Sequence, residues 1–237
     1  MPTIEKDAYF KYLEKKGQGG YRAAILVKKA TDTLYSLLVA SETVPSVFGS
    51  TESFEFDLLN SPVKGKIEGK MSLDDKEVEV LHHRDNVYRF EKLKNQVLDF
   101  LVVDSQFVGY KFTGTLAYRM NDATADVLRG TYTITPMSAD PTPILNARSL
   151  CQETLCFASV VPDEVNAGEK IQLSVVQTGA TVTYKSFLIN ANGTEGEATT
   201  IEGSEFTAPA TEGLYGITAS ATGYAPWTTT VFVRAKA

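Results

Sequence analysis

The run Phe107–Met137, FVGYKFTGTLAYRMNDATADVLRGTYTITPM, decides how the chain is read. Taken two residues at a time, its first arm puts Tyr110, Phe112, Leu116, Tyr118 and Met120 on one face. Lys111, Thr113, Thr115 and Arg119 fall on the other. The second arm repeats the split, with Leu128, Tyr132 and Ile134 opposing Arg129, Thr131, Thr133 and Thr135. Asn121 and Asp122, between the arms, supply turn chemistry. The pattern predicts a long antiparallel hairpin with one apolar face on a core and one Thr-rich face in water. A slip of one residue would exchange the two faces, so the register is strongly specified.

Working back from the hairpin, VLDFLVV at 97–103 has the β-branched and aromatic content of a strand. NVYRFEKLK at 86–94 predicts a short helix, with Asp85 as its N-cap, Val87, Phe90 and Lys94 along one side, and Asn95 closing it. KEVEVL at 76–81 predicts a strand at a sheet edge, and VKGKIEGKMSL before it exposed extended chain. YRAAILVKK and LYSLLVASETV, separated by Ala30–Thr33, predict a second hairpin. Between these lies PSVFGSTESFEFDLLNSP at 45–62, a Gly/Ser/Thr-rich loop passing into a strand FEFDLL. A loop of that size in a compact domain is functional or mobile. At the start, DAYFKYLEKK aligns Tyr9, Phe10 and Leu13 on one helical face before GQGG breaks it, which reads as an arm. One short helix among many strands makes this half mainly β.

Beyond Met137 the chain is Pro-punctuated, SADPTPILNARS, and its composition then shifts. From about Thr154 it is rich in Thr, Ala, Gly and Val, with apolar runs LCFASVV, KIQLSVVQ, TVTYKSFLI, EATTIEG, YGITASAT and WTTTVFVRA separated by glycines. Short strands at such spacing over about 80 residues predict an immunoglobulin-like sandwich, although the only Trp, Trp227, lies in the last strand instead of between paired cysteines. The expected division is 1–150 and 153–237, with Pro141 and Pro143 in a connection that lets the second part fold by itself.

At 237 residues the chain can bury a full core. Its formal charge is -6: residues 1–157 carry 19 basic and 21 acidic side chains, the rest 4 and 8, so neither part is a cationic nucleic-acid binder. No apolar run reaches the roughly 20 residues that span a bilayer, and MPTIEKDAYF has no apolar signal core; a cytoplasmic product without a membrane anchor is expected. Cys151 and Cys156 are too few for a disulfide framework and half of a zinc site, and read as buried thiols.

No constellation supports catalysis. His82 and His83 are adjacent, and on a strand they point to opposite faces, which is poor geometry for one metal ion. Asp74 and Asp75 read as a solvated turn. Asn192-Gly193-Thr194 matches a glycosylation sequon but reads as a hairpin turn. Phosphate loops, nucleophile elbows and CxxC pairs are absent. No enzyme, cofactor or metal is expected.

The run SLDDKEVEVLHHRDNVYRFEKLKNQVLDFLVV, followed by GYKFTGTLAYRMNDATADVLRGTYTITPMSADPTP, resembles the tail tube (major tail) proteins of long-tailed bacteriophages and prophages, over roughly Tyr21 to Pro143. GYAPWTTTVFV is similar to the last strand of the bacterial immunoglobulin-like domains appended to virion proteins. The resemblance implies a mainly β fold: a tail-tube β-sandwich, barrel-forming and with one short helix, plus a C-terminal immunoglobulin-like β-sandwich. It implies hexameric rings stacked into a tube in the virion tail, assembled in the host bacterial cytoplasm, with DNA passing through without sequence-specific binding. The expected partners are further copies of the chain, the tape measure, tail tip and tail terminator proteins, and a weak contact of the outer domain with cell-surface glycans. Lys111, Thr113, Thr115, Arg119, Arg129, Thr131, Thr133 and Thr135 would face the lumen. Such lumens are acidic or neutral, and here the face carries three cations. Val47, Phe48, Gly49, Ser50 and Phe54 would touch the next ring. The rival reading is a surface or receptor-binding module built on the C-terminal sandwich; a hydrolase on scattered carboxylates is the weakest.

Overall fold

The structure is a computed structural model that describes residues 23–41, 51–56, 65–71, 73–103, 108–121, 128–137 and 141–235. The chain is mainly β. In order it forms β1 (Ala23–Lys28), β2 (Ser36–Ser41), β3 (Thr51–Phe56), β4 (Gly65–Met71), β5 (Lys76–Leu81), helix α1 (Arg84–Leu93), β6 (Leu98–Val103), β7 (Gly109–Met120), β8 (Arg129–Pro136) and β9 (Thr142–Ile144). After a 3-10 turn at Ala147–Leu150 come β10 (Glu164–Asn166), β11 (Lys170–Gln172), β12 (Thr183–Ile189), β13 (Thr199–Ile201), β14 (Glu205–Thr207), β15 (Gly213–Ser220) and β16 (Trp227–Arg234).

The first sheet runs β2-β1-β6-β7-β8-β5, with β9 added to β7, and its outermost strands β2 and β5 come back against each other. The rolled sheet encloses one core. Every strand but β9 contributes, among them Ile25, Val39, Val78, Phe100, Phe112, Leu116, Tyr132 and Ile134, and α1 adds Leu93. Both predicted hairpins form. The β1–β2 ladder slips between Ile25 and Leu26, where Leu38 is the extra residue. The carbonyl of Leu38 accepts from Arg89 Nη1 of α1 at 2.8 Å, so the bulge is closed from the helix.

Helix α1 departs from its expected start. Its N-cap is His83, whose Nδ1 accepts the Asp85 N–H at 3.3 Å. Asp85 is 6% exposed, and its carboxylate turns away to the last strand, accepting Thr229 Oγ1 at 3.0 Å, Thr230 N–H at 2.8 Å and Thr230 Oγ1 at 2.7 Å. Asn95 does end the helix in the left-handed region, φ 59°.

The second sheet runs β10-β16-β15-β12-β13, with β10 parallel to β16 and the other pairs antiparallel. The pair β11–β14 covers one of its faces, and Ile171, Leu173 and Phe206 meet Tyr184, Tyr215, Ile217, Val231 and Val233 in the core. LCFASVV does not form the expected strand: Thr154 and Phe157 make isolated bridges to Ala225 and Val175. The Asn192-Gly193 turn forms, with Gly193 at φ 78°.

The two halves share buried surface. Leu26, Tyr35, Leu37, Leu101 and Val103, on the outside of β1, β2 and β6 and the segment before β2, join one cluster with Ala147, Cys151, Leu155 and the sandwich core. Tyr35 bridges Cys151 in parallel, and Thr154 Oγ1 accepts the Leu37 N–H at 3.4 Å. On the other side α1 lies against the second sheet. The Tyr88 ring faces Phe187 at 6.4 Å, Arg89 stacks on Trp227 at 3.7 Å, and Tyr88 and Lys92 both hydrogen-bond Glu195.

Candidate assembly surface

The β7–β8 register pairs Leu116 with Ile134 and Tyr118 with Tyr132, so the alternation in the sequence becomes two faces of one ribbon. Phe112, Leu116, Tyr132 and Ile134 are buried, and the Tyr132 hydroxyl donates to the Asn86 carbonyl at 2.7 Å. Burial holds that phenol's pKa well above its usual value. The apolar face does not stay buried to the tip: Met120 is 59% exposed and Leu128 37%. There the ribbon has run past the core.

Glycine lets the ribbon approach its neighbours. A Cβ on Gly109 would stand 1.9 Å from the Val102 carbonyl oxygen, and one on Gly130 2.1 Å from the Tyr118 hydroxyl.

The opposite face holds the eight polar positions singled out above. Lys111, Arg119, Arg129 and Thr135 are exposed, and Thr113, Thr115 and Thr133 are half-buried. Thr131 departs from the expectation of a wet face: it is buried, and its hydroxyl donates to Asn121 Oδ1 at 2.9 Å. The cations have company that the hairpin sequence did not announce. β5 pairs with β8 so that Glu79 lies beside Thr131 and Glu77 beside Thr133; Glu79 takes Arg129 at 2.7 Å and Glu77 takes Arg119 at 3.3 Å. Two of the three positive charges are thus offset on the face itself, although pairs this exposed add little to stability. KEVEVL carried the signal, since its alternation puts both glutamates on one side. Asp99, on β6, accepts from Thr113 Oγ1 at 3.4 Å and pairs with Lys28 at 3.4 Å.

Two features of this surface are topological. The polar positions and the apolar strip that the second half covers both lie on the outer face of the rolled sheet, and they meet where Lys111 stands beside Leu101 across the β6–β7 ladder. The ladder between β6 and β7 stops at Leu98 and Gly114, and Thr115–Met120 has no ladder partner on that side among the described residues. Such an edge is a template for another strand.

Val47, Phe48, Gly49 and Ser50 lie outside the described residues, as do Tyr9, Phe10 and Leu13. Phe54 belongs to β3, described over Thr51–Phe56 and paired with β4, and the rest of FEFDLL, residues 57–59, lies outside the described residues.

Other candidates disperse. His82 meets the Tyr118 hydroxyl at 2.7 Å, while His83 meets Asp163 at 3.0 Å. Burial pushes the Cys151 thiol up to about 11 and Cys156 up to about 12, values at which neither is a nucleophile at neutral pH. Among the described residues no group of His, Cys, Asp and Glu could hold a metal ion, and no helix is long and apolar enough to cross a membrane.

No family model matches the chain, and no curated protein does. Among solved structures, a chain in the cryo-EM structure of the anti-feeding prophage (AFP) baseplate, 6-fold symmetrised, is similar with a TM-score of 0.36 and 8% identity, over 54% of this chain and 95% of that one. A likeness of this size transfers no property of that assembly.

Proposed function

We propose that the chain is a structural virion protein of a phage or prophage tail, and that it polymerises as stacked rings to form the tail tube. The rings are hexameric, the β7–β8 ribbon lines the lumen through which DNA passes, and residues 153–237 decorate the outside as an immunoglobulin-like domain. The observation that carries the reading is the overhanging half of β7, Thr115–Met120, which has no ladder partner on its β6 side among the described residues, on a ribbon whose wet face is Thr-rich and nearly charge-balanced. A ribbon of that kind is marginal alone and needs strands from neighbours. The resemblance of GTYTITPM and the stretches before it adds to this. The tape measure, tail tip and tail terminator proteins follow as partners.

Negative-stain microscopy of the purified protein tests it. Rings or hollow rods are expected. A folded protein that remains monomeric across concentration and salt would overturn the proposal and favour a surface or receptor-binding module, the reading to which the C-terminal sandwich lends itself.

A further inference from the structure

The C-terminal sandwich is unequal: five strands form one sheet and two the other. The pair β11–β14 covers Tyr184, Tyr215, Ile217 and Ala219, but Ser186 and Leu188, on the same face of β12, stay half-buried, with edge strand β13 beside them. The uncovered margin is a cleft of about 550 Å³ between β12–β13 and β14. That volume lies within the range of small-ligand sites.

The lining dictates the chemistry it takes. Ser186, Thr199 and Thr207 supply hydroxyls, which donate and accept, and Glu197 and Glu202 supply acceptors. Leu188, Ile201 and Pro209 give an aliphatic floor. Glu205 also lines the cleft and is paired with Lys170 at 2.7 Å; no lysine or arginine is itself in the lining, so an anionic ligand would face the carboxylates of Glu197 and Glu202 without a cation between them. A metal ion lacks its ligand set among the described residues, and an added peptide strand would find in β13 an edge of only three residues. A sugar matches what is left. Its hydroxyl groups are donors and acceptors together, vicinal pairs suit a carboxylate, and its C–H face packs on aliphatic side chains.

We propose that this cleft binds a neutral or amino-bearing oligosaccharide and rejects an acidic one. The proposal deepens the exterior role given above to residues 153–237, and rests on that reading only for the source of the sugar, a cell surface.

The test is a titration of the isotope-labelled full chain, followed by amide NMR, with tri-N-acetylchitotriose, the glucosamine trimer and the galacturonic acid trimer. The first two should shift the amides of β12, β13 and residues 205–209 saturably, with Kd of about 1 mM, a value usual for weak, shallow sites. The acidic trimer should not. A double variant, Thr199→Val with Glu202→Gln, should bind at least about five-fold more weakly while keeping its amide spectrum otherwise, as expected when discrete hydrogen bonds are removed. No saturable shift up to about 20 mM, equal binding of the acidic trimer, shifts confined to other strands, or an unaltered double variant would each overturn it. None of these outcomes bears on tube formation, which microscopy reads separately.

Discussion

Asp85 and Thr230, in different halves of the chain, are joined twice over: one carboxylate oxygen accepts the backbone N–H of Thr230 at 2.8 Å and its hydroxyl at 2.7 Å. The other oxygen takes the hydroxyl of Thr229. The helix that packs under the rolled sheet therefore also seals part of the last strand of the sandwich. Hydrogen bonds to a buried charge are worth about 1.5–3 kcal/mol each in mutational series, and removing several is not additive. Asp85→Ala should lower the unfolding free energy by about 3 kcal/mol in urea titration. A loss below about 0.5 kcal/mol would show that water replaces the clamp at no cost.

The same junction predicts that the halves unfold together. Trp227 is the only tryptophan and stacks on Arg89 of α1, so its fluorescence reports the contact between them. Its transition in denaturant should coincide with that of far-UV circular dichroism. Two separated transitions would show that the contact contributes little.

Truncation after Leu150 extends this. The fragment would expose Leu26, Tyr35, Leu37, Leu101 and Val103, an apolar strip that residues beyond the cut now help to cover. It should be insoluble or aggregated. A soluble, folded fragment that still gave hollow rods would show that the strip finds another cover.

Within the hairpin, Tyr132→Phe removes the bond to the Asn86 carbonyl and should cost about 1 kcal/mol, whereas Tyr132→Asp puts a charge at a position 1% exposed and should abolish soluble protein. Normal yield and stability of the Asp variant would refute the face assignment.

The buried thiols set an alkaline limit. Free thiols titrate near 9.0, whereas burial raises Cys151 to about 11 and Cys156 to about 12. The native state thus holds its protons more tightly than the unfolded one. The stability this contributes is complete below pH 9 and is lost as pH climbs from there toward 12. Urea midpoints should be flat from about pH 7 to 8.5 and fall above 9. Ellman's reagent should find both thiols only after unfolding; prompt reaction at pH 8 would contradict their burial.

The ribbon was legible because its signal is local: alternation over two arms fixes faces and register before any partner is known. Asn95 was legible for the same reason. Asp85 was misread because an Asp before a helical run has a standard local role, and nothing nearby in the sequence announces threonines in the last strand. Arg119 and Arg129 looked uncompensated because Glu77 and Glu79 become their neighbours only through the β5–β8 pairing. The shared cluster was hidden by Pro141 and Pro143, which signal a turn in the backbone and say nothing of what the side chains after it will cover.

β16 lies between β10 and β15, and it is the strand that meets Asp85. On a ribosome, Asp85 emerges well before Thr230 does, 145 residues later in the chain, and at ordinary synthesis rates of about 5–20 residues per second the interval is roughly 7–29 s. Until then the carboxylate of Asp85 is without its threonines, and once β8 has been made the outer strip of the first sheet awaits the residues that cover it. The last strand should therefore complete the junction late in synthesis, and a stall before β16 should leave an apolar strip that chaperones can hold.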